Sequence, residues 1–134
     1  MSKLCRILIC LFNRLYLSLP LENRRAIMKR LGSLIKVRPE KLAEYKQLHA
    51  NAWPGVLEMI TACNIRNYSI YYKDGFLFSY YEYIGDDYEA DMQKMAADPV
   101  TQDWWKLCNP CQEPLETRKD GEWWAEMDEV FHHD

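Results

Sequence analysis

Two strand-like runs joined by a tight turn constrain this chain more than any other feature. Ile65–Tyr72 (IRNYSIYY) and Phe76–Ile84 (FLFSYYEYI) are β-branched and aromatic, and Lys73-Asp74-Gly75 lies between them. Glycine supplies the positive φ that a tight turn needs, so the two runs read as a hairpin. A helical stretch flanks the hairpin on each side. Upstream, in EKLAEYKQLHA, residues Leu42, Tyr45, His49 and Ala52 follow i, i+3, i+7 and i+10 and share one face, while Glu40, Lys41, Glu44 and Gln47 fall on the wet side. Pro39 sits at this helix's start, where its missing N–H costs nothing. Trp53-Pro54 breaks the helix, and a second helical piece follows from Pro54 to Ala62. Downstream, Asp86 or Asp87 can cap a helix whose Tyr88, Met92, Met95 and Ala96 make an apolar stripe. Asp98-Pro99 restarts that helix, and Trp104 and Trp105 end it.

Two further strands complete the pattern. Leu31–Val37 (LGSLIKV) is a short apolar run that stops before Arg38-Pro39, and Met127–His132 (MDEVFH) is a final strand after a proline-containing loop, Asn109–Gly121. The order is β-α-β-β-α-β. That is the α+β, ferredoxin-like arrangement: a four-stranded antiparallel sheet with both helices on one face. The other face carries tyrosine-rich strands with nothing to cover it, so a second copy is expected to pack there.

Composition narrows the function classes. With 134 residues, 49 % hydrophobic and 28 % charged, the chain is one soluble domain's worth of sequence. Of its 17 basic and 20 acidic residues, five basic and one acidic lie in residues 1–27, leaving 12 and 19 from Met28 onward. An acidic body argues against nucleic acid as a partner. The longest apolar run in the first 27 residues, Ile7–Phe12, is too short to cross a bilayer, and no clean signal-peptide pattern follows. Residues 1–27 read as an extension ahead of a domain that starts at Met28; a presequence and a membrane-surface helix are the other readings. Five cysteines, an odd number at irregular spacing, point to a reducing compartment rather than to a disulfide framework.

Three groups of residues can carry chemistry. His49 is the one histidine away from the C-terminus, on the sheet-facing side of its helix, and imidazole moves protons near pH 7. Tyr45 sits one turn earlier on the same face, so the two can flank a small ligand. The plain alternative is a core histidine bonded to backbone. Trp104 and Trp105, adjacent on a helix, point about 100° apart. One can pack inward while the other walls a pocket; simple packing at a helix end is the alternative. Cys108-Asn109-Pro110-Cys111 has CxxC spacing, but zinc would need a second ligand pair, for which only His132-His133 is available. Redox chemistry would need the motif at a strand-to-helix junction. No metal site and no cofactor motif is legible.

Four motifs, in order, resemble the L-rhamnose mutarotase family. They are EYKQLHANAWP within Lys36–Pro54, Asn67-Tyr68-Ser69-Ile70-Tyr71, Trp104-Trp105 followed by lysine, and Glu129-Val130-Phe131. The resemblance spans Met28–Asp134. It implies a cytoplasmic, cofactor-free homodimer of the dimeric α/β-barrel type, interconverting the α and β anomers of L-rhamnose or a related 6-deoxy sugar. It also implies that His49 is the proton donor and that Tyr45, Tyr68, Trp104 and Trp105 contact the sugar. The resemblance also implies a difference: the best-known bacterial members are shorter between the second helix and the last strand. The extra CNPCQEPLETRKDGEWW here bears on the identity of the sugar. A non-catalytic sugar-binding module and a cofactor-independent monooxygenase or haem-degrading enzyme on the same fold fit the same residues.

Overall fold

The computed structural model describes residues 28–134; the N-terminal segment 1–27 and the readings attached to it lie outside them. Strand β1 is Lys29–Val37, two residues longer at its start than the apolar run alone suggests. A 3-10 turn at Pro39–Lys41 leads into α1, Leu42–Ala50, and Pro54 opens α2, Pro54–Ala62. Strands β2 (Ile65–Lys73) and β3 (Phe76–Tyr83) form the hairpin. Its two-residue loop has φ of 49° at Asp74 and 85° at Gly75. Positive φ at both positions is the twist-matched geometry that Asp-Gly favours.

Helix α3, Tyr88–Ala97, is capped by Asp87, whose side chain accepts the Ala90 N–H at 3.0 Å. Helix α4, Pro99–Cys108, is capped by Asp98 through the Thr101 N–H at 2.8 Å. It continues past the tryptophan pair that was expected to end it. The next proline, Pro110, comes only after another turn, and a 3-10 turn at Asn109–Cys111 closes the helix there.

All pairings are antiparallel, and the sheet runs β2-β3-β1 with the last strand on the free edge of β1. That order is the ferredoxin-like one, but the last strand comes in two pieces. Strand β4 (Gln112–Glu113) pairs with Val37 and Lys36, and β5 (Ala125–Met127) pairs with Leu34, Ser33 and Gly32. Pairing on β1 resumes almost where it stopped, so residues 114–124 are an excursion from a single edge strand. The expected final strand, Met127–His132, is therefore displaced. Only Met127 pairs, and Val130 and Phe131 stand 93 % and 82 % exposed. Seating Trp124 against the core fixes this register; alternation within MDEVFH could not. Beyond β5 the Arg30 guanidinium holds Glu129 through two hydrogen bonds, at 2.7 and 2.9 Å.

The core lies between the helices and one face of the sheet: Ile35 and Val37 of β1, Leu77 of β3, Tyr45, Val56 and Trp104 of the helices, and Cys108 and Cys111 at the end of α4. The opposite sheet face carries Phe76, Phe78 and Tyr80, which alternate with buried Leu77 and Ser79. Tyr71, paired with Phe78, is 66 % exposed there.

Candidate active site

The site is assembled from one helix face, one irregularity in a strand and one tryptophan. Tyr45 and His49 stand one turn apart on α1, with ring centroids 4.1 Å apart. Tyr45 is buried against the core, and His49 is partly buried beside it. His49 Nδ1 lies 2.9 Å from the Tyr45 carbonyl oxygen. A carbonyl only accepts, so Nδ1 carries a hydrogen and donates it. In the neutral ring, Nε2 therefore holds a lone pair. Burial also pushes the His49 pKa below its ordinary value, against a smaller opposing effect of that hydrogen bond. The ring is neutral at pH 7, with one nitrogen available as a base.

Trp104 supplies the next wall. Its ring meets His49 edge-on at 5.3 Å and Trp53 at 5.4 Å. Trp104 is 6 % exposed and faces inward, whereas Trp105 is 37 % exposed. Trp105 lines a groove of about 620 Å³ together with Arg38, Gln112, Pro114 and Trp123. The indole pair thus divides between two sides of α4. Trp104 meets the histidine, and Trp105 walls a groove to which His49, Tyr45 and Tyr68 do not contribute.

Tyr68 reaches the helix side of the sheet because β2 bulges. Arg66 pairs with Glu82 and Ser69 with Tyr80, so Asn67 and Tyr68 together oppose Tyr81. Strict alternation from buried Ile65 would turn Tyr68 to the outer face; the extra residue reverses the parity, as bulges do. Asn67 accommodates it with φ of 50°, a conformation asparagine tolerates, and its amide donates to Glu82 at 2.6 Å. Tyr68 then stacks edge-on with Tyr81 at 5.3 Å. Tyr68 is 42 % exposed as a residue, and burial around its hydroxyl pushes this phenol up to about 12, with Cys108 and Tyr88 adding to the effect. Burial likewise raises the Tyr45 phenol far above its ordinary value. The Cys108 thiol is pushed up to about 12 for the same reason. At neutral pH the cluster therefore holds protonated phenols, a thiol and a neutral imidazole.

One polar residue in this neighbourhood was missed from sequence. Gln112, 5 % exposed, places its amide nitrogen 3.4 Å from the Tyr45 hydroxyl and its oxygen 2.7 Å from Trp123 Nε1. It lies within the expected loop, where nothing marks one glutamine above another. Cys108 and Cys111 are free and buried, and Cys111 Sγ donates to the Leu107 carbonyl. Among the described residues no group of three or more His, Cys, Asp or Glu side chains gathers as metal ligands would. No helix among them is long and apolar enough to cross a membrane.

The family model described as L-rhamnose mutarotase matches residues 30–133. An L-rhamnose mutarotase of Bacillus subtilis (strain 168) is 41 % identical over 85 residues, covering 62 % of this chain and 79 % of its own length. One of Oceanobacillus iheyensis is 34 % identical over 109 residues, covering 80 % of this chain and all of its own. In fold, the chain resembles the crystal structure of an L-rhamnose mutarotase from Formosa agariphila, with TM-score 0.62, 18 % identity, and 79 % and 99 % of the two chains covered. It also resembles tetracenomycin F2 cyclase from Streptomyces glaucescens, with TM-score 0.60, 9 % identity, and 79 % and 97 % covered. The dimeric α/β-barrel fold is therefore shared with a different chemistry, while the sequence match is not: this chain belongs to the L-rhamnose mutarotase family.

Proposed function

We propose that this chain is an L-rhamnose mutarotase in which His49 carries the proton. The observation that bears most weight is the tautomer. Nδ1–H is engaged by the Tyr45 carbonyl, and Nε2 is left as a base in a neutral ring. In the opening direction, Nε2 takes the proton of the anomeric hydroxyl and the resulting imidazolium gives it to the ring oxygen. The C1–O5 bond breaks as the C1 carbonyl forms. Both oxygens are attached to C1, so one nitrogen serves both and the proton count closes without another residue. Rotation about C1–C2 followed by the reverse transfers closes the ring on the other face. General acid–base transfer of this kind contributes about 10²–10⁴-fold.

The tyrosines do a different job. With their phenols held protonated, Tyr45 and Tyr68 offer O–H donors to sugar oxygens rather than accept protons. Trp104 gives the apolar C–H face of the pyranose and its methyl a flat wall. Trp105 lines a groove apart from His49, so its contact with the sugar rests on the family resemblance. No step calls on a cofactor.

The enzyme works as a homodimer in this reading. The sheet face with Phe78, Tyr80 and Tyr71 is aromatic and uncovered in one chain, and a second copy buries it. Light scattering at micromolar concentration is expected to give twice the chain mass. The free thiols of Cys63, Cys108 and Cys111 suit a reducing compartment, and we place the protein in the cytoplasm.

The test is magnetisation-transfer NMR between the α and β anomers of L-rhamnose and of other 6-deoxy sugars. Faster exchange with added protein, greatest for L-rhamnose, is the expected result. Saturable binding with no faster exchange makes the chain a binding module and refutes the proposal.

A further inference from the structure

We infer that Gln112 is a positioning residue which fixes the direction of the Tyr45 hydroxyl, and that Trp123, on the 114–124 excursion, sets Gln112. The inference rests on the reading of Tyr45 as a sugar contact.

An indole N–H only donates, so the Gln112 atom 2.7 Å from Trp123 Nε1 is the amide oxygen. That fixes the rotamer of the whole amide, and the NH₂ group is what faces Tyr45. An amide N–H only donates, so at 3.4 Å the Tyr45 oxygen accepts. A phenol oxygen that accepts on this side is left to send its own hydrogen elsewhere. The polarity therefore runs one way along the line, from Trp123 through Gln112 to Tyr45, and ends in a phenol whose O–H is available to donate.

Position supports the same reading. Gln112 is 5 % exposed, and a buried primary amide is held by its partners rather than by water. It is the first residue of β4, whose pairing with Val37 anchors its backbone. The excursion that begins after Glu113 returns to the sheet at Ala125, directly after the two tryptophans, so Trp123 is tethered at the point of return. Gln112 and Trp123 also line the groove that Trp105 walls. The excursion thus reaches the sugar-facing phenol through one buried amide.

Three variants test this by anomer-exchange kinetics, with circular dichroism as the fold control. Trp123→Phe keeps an aromatic ring but loses the N–H along with part of the indole, so Gln112 becomes free to flip and offer its oxygen to Tyr45, and the Tyr45→Phe background below separates that loss from lost packing. Loss of one oriented hydrogen bond is expected to lower kcat/KM about tenfold, carried mainly by KM, with the pH profile unchanged. Gln112→Glu turns the group facing Tyr45 into an acceptor that captures the phenol's hydrogen, and is expected to cost at least as much. In a Tyr45→Phe background, Trp123→Phe is expected to add nothing to the catalytic loss, because Trp123 acts only through the direction of that O–H. A folded Trp123→Phe enzyme with wild-type kcat and KM overturns the relay while leaving the site intact if Tyr45→Phe is impaired. Wild-type kinetics for Tyr45→Phe removes Tyr45 from the site, and the relay falls with it. Equal effects of Trp123→Phe with and without Tyr45 show a purely structural contribution and also overturn it.

Discussion

Replacing His49 by glutamine separates a catalytic histidine from a core one by the size and kind of loss. Glutamine keeps a polar side chain of similar reach but carries no proton near pH 7. The structural cost comes from the ring's own contacts, which include the tilted stacking on Tyr45 at 4.1 Å. The Nδ1–H bond to the Tyr45 carbonyl contributes about 0.5–1.5 kcal/mol, and the edge contact with Trp104 adds about 0.5–1.5 kcal/mol beyond area burial. For a domain of this size that is a fall in Tm on the order of 10 °C. The fold is expected to survive at 25 °C, checked by circular dichroism. The catalytic cost is of another order: removing the proton carrier lowers the rate about 10²–10⁴-fold, or roughly 3–5 kcal/mol of barrier. The assay is NMR exchange between the L-rhamnose anomers, normalised to folded enzyme. A pH series gives a second reading. Burial lowers the folded-state pKa of His49, so the neutral, basic form persists through pH 6.5 and below. The rate of the wild type is expected to hold at neutral pH and fall on the acid side, with a midpoint under 6.5. The same shift has a stability consequence. The unfolded chain takes up the proton more readily, so the contribution of His49 is full above about 6.5 and declines as pH falls toward the folded-state value. A folded His49→Gln enzyme that exchanges anomers at the wild-type rate refutes the mechanism.

Asn67→Val puts a β-branched residue at φ 50° and removes the bond to Glu82. It is expected to cost about 1–3 kcal/mol in thermal unfolding, and to slow anomer exchange because Tyr68 loses its bulge. Asn67→Gly, which accepts that φ, is expected to retain most of both. Asp98→Ala deprives the Thr101 N–H and hydroxyl of their acceptor and is expected to cost about 1 kcal/mol, seen as a lower urea midpoint at unchanged m-value. Joint replacement of Cys108 and Cys111 by alanine is expected to lower stability through lost packing and leave kcat largely intact, with chelators having no effect. Stoichiometric zinc in the wild type, lost in the double variant, contradicts that.

Much of the fold was legible because local chemistry and global packing agree. Asp87, Asp98, Pro39, Pro54 and Pro99 sit where elements begin, and each acts within one turn of itself. The Asp74-Gly75 turn is equally local. Where the outcome depends on distant partners, the chain's own pattern says less. The free edge of β1 could take either end of the C-terminal segment, and MDEVFH alternates well enough to be chosen. What decides is Trp124 packing against the core cluster, which β1, β3 and the helices assemble together. The same holds for the end of α4, where two tryptophans look like a boundary but the stop comes from Pro110.

The site divides along the same line. His49 and Tyr45 were legible together because helical spacing alone puts them on one face. The opposite orientation of the two indoles also follows from the helix, although which one turns inward does not. Tyr68 is the instructive case. Its place among candidates came from the family resemblance, because alternation through IRNYSIYY puts it on the wrong face. The signal was present, since asparagine is disfavoured within strands and at home at positive φ. An asparagine between Arg66 and Tyr68 is where a bulge can form, and one inserted residue is enough to bring a tyrosine from the outer face to the helix side. Gln112 had no such local mark. Its burial requires both the 114–124 excursion and α1 to be in place, so it becomes visible only when the edge strand is seen to leave the sheet at Glu113 and return at Ala125. An excursion that returns to the register it left keeps the sheet unchanged. In this chain it carries the one indole that sets the direction of the amide facing Tyr45.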